Sequence, residues 1–199
     1  AKPFCDHHTH SLRNPIRIVN WVLEHTGHSK LITEKPQTPY GYDYFNIRSS
    51  MDNSRIKFEK EKTGRVVVLG GSITQMEGWK ELLFADIQRR FPDTKFDFVP
   101  AGIASLGSTP HAFRLERDVL SKGPVDLLLV EAAVNDECNM MTDIEQIRGM
   151  EGVIRHLLTA NPNMDIIDMH FADPSKLDSY SKGKAPAVIA NHEKVADYY

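Results

Sequence analysis

Three short stretches of this chain set chemically capable residues directly after apolar, β-branched runs. Residues 66–69 (Val-Val-Val-Leu) lead into Gly70-Gly71-Ser72-Ile73-Thr74. Residues 96–99 lead into Pro100-Ala101-Gly102-Ile103-Ala104-Ser105, and residues 126–132 into Ala133-Val134-Asn135-Asp136. A serine on a Gly-rich turn that enters a helix is exposed, and the helix N-terminus favours anionic character beside it. Gly102 lacks a Cβ, so its backbone N–H can approach a ligand closely. Asn135 supplies a side-chain amide donor. One nucleophile and three donors, the N–H groups of Ser72 and Gly102 and the Asn135 amide, are the parts of an oxyanion hole for acyl transfer. Each stretch alone has a plainer reading. Gly-Gly-Ser after a strand is a turn or a phosphate cradle, and Asn-Asp is a helix cap. Their order at three successive strand ends favours the chemical one.

Those strand ends need a scaffold, and the sequence pattern supplies it. From Arg65 onward, short apolar runs alternate with amphipathic helical stretches. The first helix follows the Gly70-Gly71 break, with Trp79, Leu82, Leu83, Ile87 and Phe91 on one face and Pro92 closing it. The second starts near Pro110, carries Phe113, Leu115 and Leu120, and ends at Gly123. The third is capped by Thr142 or Asp143, with Ile144, Ile147, Val153, Ile154, Leu157 and Leu158 inward. Residues 165–169 read as a fourth strand, and a last helix starts around Pro186 with Val188, His192, Val195, Ala196 and Tyr199 roughly aligned. Such alternation requires crossover connections, hence an α/β fold with a parallel sheet covered on both faces. The expected architecture is a doubly wound, flavodoxin-like sheet, whose ligands sit beyond the carboxyl ends of the strands.

Residues 1–60 differ from this pattern and read as an amino-terminal arm, with residues 61–199 forming the α/β domain. Asn14-Pro15 starts a helix that runs to Gly27. Residues 34–44, rich in Pro, Gly and Tyr, read as an irregular connection. The composition of the 199 residues, 41% hydrophobic and 26% charged, excludes a disordered or fibrous chain. A formal charge of -3 leaves no basic excess to hold a nucleic acid. No apolar run approaches the ~20 residues that span a bilayer. Cys5 and Cys138 make no disulfide framework, and the compartment is not readable.

The set Gly-Gly-Ser-Ile-Thr, Ala-Gly-Ile-Ala-Ser and Ala-Val-Asn-Asp is similar to the first three conserved blocks of the GDSL/SGNH hydrolases. Phe58-Glu59-Lys60-Glu61-Lys62-Thr63-Gly64 and Phe113-Arg114-Leu115-Glu116-Arg117-Asp118-Val119-Leu120-Ser121 also look like a bacterial subgroup of GDSL-like lipases/acylhydrolases. The resemblance covers residues 52–199 and implies the flavodoxin-like fold, with Ser72 as nucleophile and Gly102 and Asn135 as oxyanion-hole donors. The family's Asp before the Ser is Gly71 here, and its Gly two residues before the Asn is Ala133. The implied function is a serine esterase acting on a small acyl ester, such as the O-acetyl group of a carbohydrate. No metal or organic cofactor is implied.

The family's last block, Asp-x-x-His after a fifth strand, occurs nowhere in the sequence. The expectation is a hydrolase domain whose carboxyl-terminal part, roughly 50 residues or more including the fifth strand, is absent. An uncovered sheet edge then favours self-association into a homo-oligomer. His111, His170 and His192 are weak candidates for the missing base, because nothing fixes their distance to Ser72. A base-less chain suggests the competing reading of a catalytically silent remnant or binding module. A third and weaker reading rests on Asp6-His7-His8-Thr9-His10, whose D-x-H-x-H spacing resembles the first metal-binding strand of amidohydrolase and PHP-type enzymes. No barrel accompanies it, so adventitious metal binding by a His-rich arm is the plainer interpretation.

Overall fold

The computed structural model describes residues 46–171 and 173–199. The arm helix, the Pro-rich connection, Cys5 and the histidine cluster at residues 7–10 lie outside the described residues. The elements run α1 (Asp52–Ile56, continuing as a π-helical turn over Lys57–Glu61), β1 (Thr63–Gly70), α2 (Ser72–Gln75), α3 (Trp79–Arg90), β2 (Lys95–Gly102), α4 (Ser108–Asp118), β3 (Leu127–Val130), α5 (Ala133–Cys138), α6 (Asp143–Ala160), β4 (Asp165–Asp168), α7 (Leu177–Ser181) and α8 (Ala187–Tyr198).

All strand pairings are parallel and the order is β2-β1-β3-β4. This is the doubly wound, flavodoxin-like arrangement expected from the alternating pattern. The β-branched and leucine runs of β1 and β3 are buried on both faces, as crossover helices require. Val66, Val68, Leu127 and Leu129 pack with Trp79, Leu83, Ile87 and Phe91 of the α3 side. Their neighbours Val67, Leu69, Leu128 and Val130 pack with Leu115 of α4, Met150, Val153 and Leu157 of α6 and Val195 of α8. The segment before β1 contributes Met51 and Phe58 to the first of these cores. It also closes the start of β4, where the buried Asp165 carboxylate accepts from the Ser54 N–H at 2.7 Å and from the Ser54 hydroxyl.

Three apolar residues expected inward face solvent instead: Leu82 is 61% exposed, Phe113 86% and Ile144 61%. In α3 the buried stripe is Trp79, Leu83 and Ile87, at a spacing of four, and Leu82 sits about 100° off it. In α4 the buried side is His111, Arg114 and Leu115, so Phe113 points away. Ile144 stands in the first turn of α6, before its buried stripe begins at Gln146. Of the two caps expected, Thr142 or Asp143, the structure has Thr142, within a capping box in which its N–H donates to Glu145 at 2.8 Å.

Candidate active site

The loops after β1, β2 and β3 meet at the carboxyl edge of the sheet, and close backbone approach explains why two of them are glycine-bearing. Gly70 and Gly102 are register partners, and the Ile103 N–H donates to the Gly70 carbonyl at 2.9 Å. A Cβ on Gly102 would lie 2.3 Å from the Gln75 nitrogen and 2.5 Å from the Thr74 carbonyl carbon. Gly102 therefore abuts the backbone of α2 in a way no other residue type permits. On the other side, a Cβ on Gly71 would lie 1.8 Å from Asn135 Nδ2. The Asn135 amide thus rests against the backbone immediately before Ser72.

Ser72 is exposed and is the first residue of α2. The opening N–H groups of any helix lack intrahelical acceptors. Asn135 is buried; one N–H of its amide donates to the Leu106 carbonyl at 3.0 Å, and an amide carries a second N–H. The β2 loop is tied on both flanks. The Ala104 N–H donates to Gln75 Oε1 at 2.7 Å, and Asn139 Nδ2 to the Ser105 carbonyl at 3.0 Å. Asn135 accordingly packs against Gly71, just before Ser72, and Gly102 packs against Thr74 and Gln75 of the helix that Ser72 opens.

The three histidines weighed as bases are engaged elsewhere. His111 is buried in α4, its Nδ1 accepting from Arg114 Nε at 3.2 Å. Burial, and then the Arg114 charge, push its pKa down to about 3. His192 Nε2 lies 2.9 Å from Asp136 Oδ2, and both side chains are fully enclosed. His170 Nε2 lies 2.8 Å from Glu193 Oε1. Burial pulls the His170 pKa down, but the Asp168 and Glu193 carboxylates outweigh it and raise the value. Among the described residues, none of these rings hydrogen-bonds Ser72.

A second constellation stands at the end of β4. One ligand atom from each of Asp168, His170 and His192 lies within 4.8 Å of the other two. Burial raises the Asp168 pKa, and it pushes that of neighbouring Glu131 up to about 7. Glu131 also accepts the Val134 N–H at 2.9 Å, holding the first turn of α5. The sequence did carry a signal for part of this group. Asp168-x-His170 is the same D-x-H spacing weighed at the amino terminus, and residues i and i+2 share a face of a strand. His192, on another helix, had no such signal.

No protein-family model matches the chain, and no curated protein matches it in sequence. Solved structures do. A two-domain esterase active on acetylated mannans matches with a TM-score of 0.56 at 25% identity, over 69% of this chain and 35% of that one. An acetyl xylan esterase matches with a TM-score of 0.55 at 24% identity, over 67% of this chain and 73% of that one. An α/β hydrolase enzyme from the metagenome of Lake Arreo, Spain, matches at 0.53 and 20%, over 68% and 73%. The class defined by the fold is therefore the doubly wound α/β domain found in solved esterases. The chain spans about a third of the length of the two-domain esterase it resembles.

Proposed function

We propose that the chain is a serine ester hydrolase of the SGNH type that removes small acyl groups, O-acetyl groups of carbohydrates first among them. The observation that carries the reading is the convergence of Ser72, Gly102 and Asn135 from three successive strand ends. The likeness to an esterase active on acetylated mannans supports the substrate class.

In the proposed reaction, Ser72 Oγ adds to the acyl carbon as its proton departs, and the carbonyl π pair moves onto oxygen. The N–H groups of Ser72 and Gly102 and the second N–H of Asn135 stabilise that oxyanion. Collapse breaks the bond to the alcohol oxygen, which leaves with a proton. Water then repeats the sequence on the acyl-serine and releases the acid. The proton from Ser72 Oγ goes to a base that the described side chains do not supply, or to water. In subtilisin, loss of the histidine base alone costs about 2 × 10⁶-fold in kcat, so turnover with water as the only proton acceptor would be slow.

That last point favours a second reading, a binding module that keeps the cleft without turnover. Acetate release from acetylated manno- or xylo-oligosaccharides, compared between wild type and Ser72→Ala, separates the two. Release that depends on Ser72 supports the esterase. Oligosaccharide binding with no Ser72-dependent release supports the module.

A further inference from the structure

We propose that Asp168, His170 and His192 form a binding site for a divalent transition-metal cation, with zinc the best match to one carboxylate and two imidazoles. The inference does not rest on the chemistry of Ser72.

The first support is the set of polar atoms left without partners. Both oxygens of Asp168, Nδ1 of His170 and Nδ1 of His192 are buried without a hydrogen-bond partner, and the Asp168 carboxylate meets His170 Nε2 only at 3.7 Å. Buried polar groups are almost always satisfied, and here four of them come from three residues that share one small volume. One possible ligand atom from each of the three residues lies within 4.8 Å of the other two. Ligands about 2.0–2.2 Å from a tetrahedral zinc are about 3.4 Å apart, so the group would have to contract on binding.

The second support is the outer layer. Metal-bound histidines characteristically hold their other ring nitrogen against a carboxylate, which fixes tautomer and orientation. Both histidines do so here. His170 Nε2 meets Glu193 at 2.8 Å, and His192 Nε2 meets Asp136 at 2.9 Å. The supporting carboxylates are held in turn. Glu193 accepts from Arg48 at 2.7 Å and from Asn46 at 2.9 Å, and Asp136 Oδ1 accepts the Ser108 N–H at 2.7 Å.

Charge is the third support. Glu131, Asp136, Asp168 and Glu193 place four carboxylates around two imidazoles, with Arg48 countering on the Glu193 side. A dication would reduce the negative charge that one guanidinium leaves over. The ion would join the end of β4 to α8 and, through Asp136, reach the element that carries Asn135.

The test uses the full chain with His7, His8 and His10 changed to Ala, so that the arm cannot mask the result. After dialysis against a weak chelator, this protein is expected to retain about one zinc per chain, and zinc is expected to raise its melting temperature. Asp168→Asn is expected to weaken zinc by more than about 100-fold, beyond the loss typical of an outer partner. In chelator, that variant is expected to stay folded, with the far-UV circular dichroism of its parent. Zinc binding that vanishes with the three arm histidines, or that survives Asp168→Asn, overturns the proposal. Cobalt(II) added to the arm-substituted parent needs no core variant. Intense ligand-field absorption of a tetrahedral N/O site is expected, and a weak six-coordinate spectrum contradicts the site.

Discussion

At the scale of single residues, Asn135 and Asp136 divide one turn of helix between two tasks. Asn135 leans on the backbone before Ser72, while Asp136 turns inward to Ser108 and His192. If Asn135 donates to an oxyanion, Asn135→Ala lowers kcat about 10²–10³-fold with little change in KM. Steady-state kinetics on an acetylated oligosaccharide checks this. His111 gives a stability prediction. Its folded pKa, about 3, lies below its ordinary 6.5, so the unfolded chain takes up the proton first as the medium is acidified. The stability it contributes is present above pH 6.5 and is lost as pH falls through about 3. Arg114 on its own helix and Asp136 from α5 are the charges that face it. Urea unfolding of His111→Gln should therefore show a shallower loss of stability across that window than wild type.

At the scale of elements, the long pieces were legible and the short ones were not. β1 and β3 announce themselves as apolar runs because both their faces are buried, and α6 does so through its cap and its stripe. α2 and α5 have four and six residues, too few for a helical period to register. They are nonetheless the elements that bear Ser72 and Asn135. Which face of a helix is buried was also only partly legible: Leu82, Phe113 and Ile144 fit an apolar pattern yet stand in solvent, because tertiary contacts choose among overlapping stripes. The role of Gly102 as a spacer follows from packing rather than pattern. Gly102→Ala drives a methyl into the backbone of α2, which cannot yield as a side chain would. The expected cost is about 1–3 kcal/mol, with a lower melting temperature and displacement of Ser72.

At the scale of the whole molecule, the candidate nucleophile and donors were readable from three ordered blocks, whereas the Asp168, His170 and His192 group required the fold. His192 and its partner Asp136 are 56 residues apart in sequence, and no local spacing links them. Among the described residues no histidine hydrogen-bonds Ser72. If water takes the proton slowly, added imidazole should raise the turnover of wild type and leave Ser72→Ala at the uncatalysed imidazole rate. The most direct test of the central claim is the mass of the chain after exposure to an activated phosphonate ester, followed by peptide mapping. The esterase account predicts a single adduct on Ser72, absent from Ser72→Ala. An unmodified Ser72, or an adduct on another residue, contradicts it.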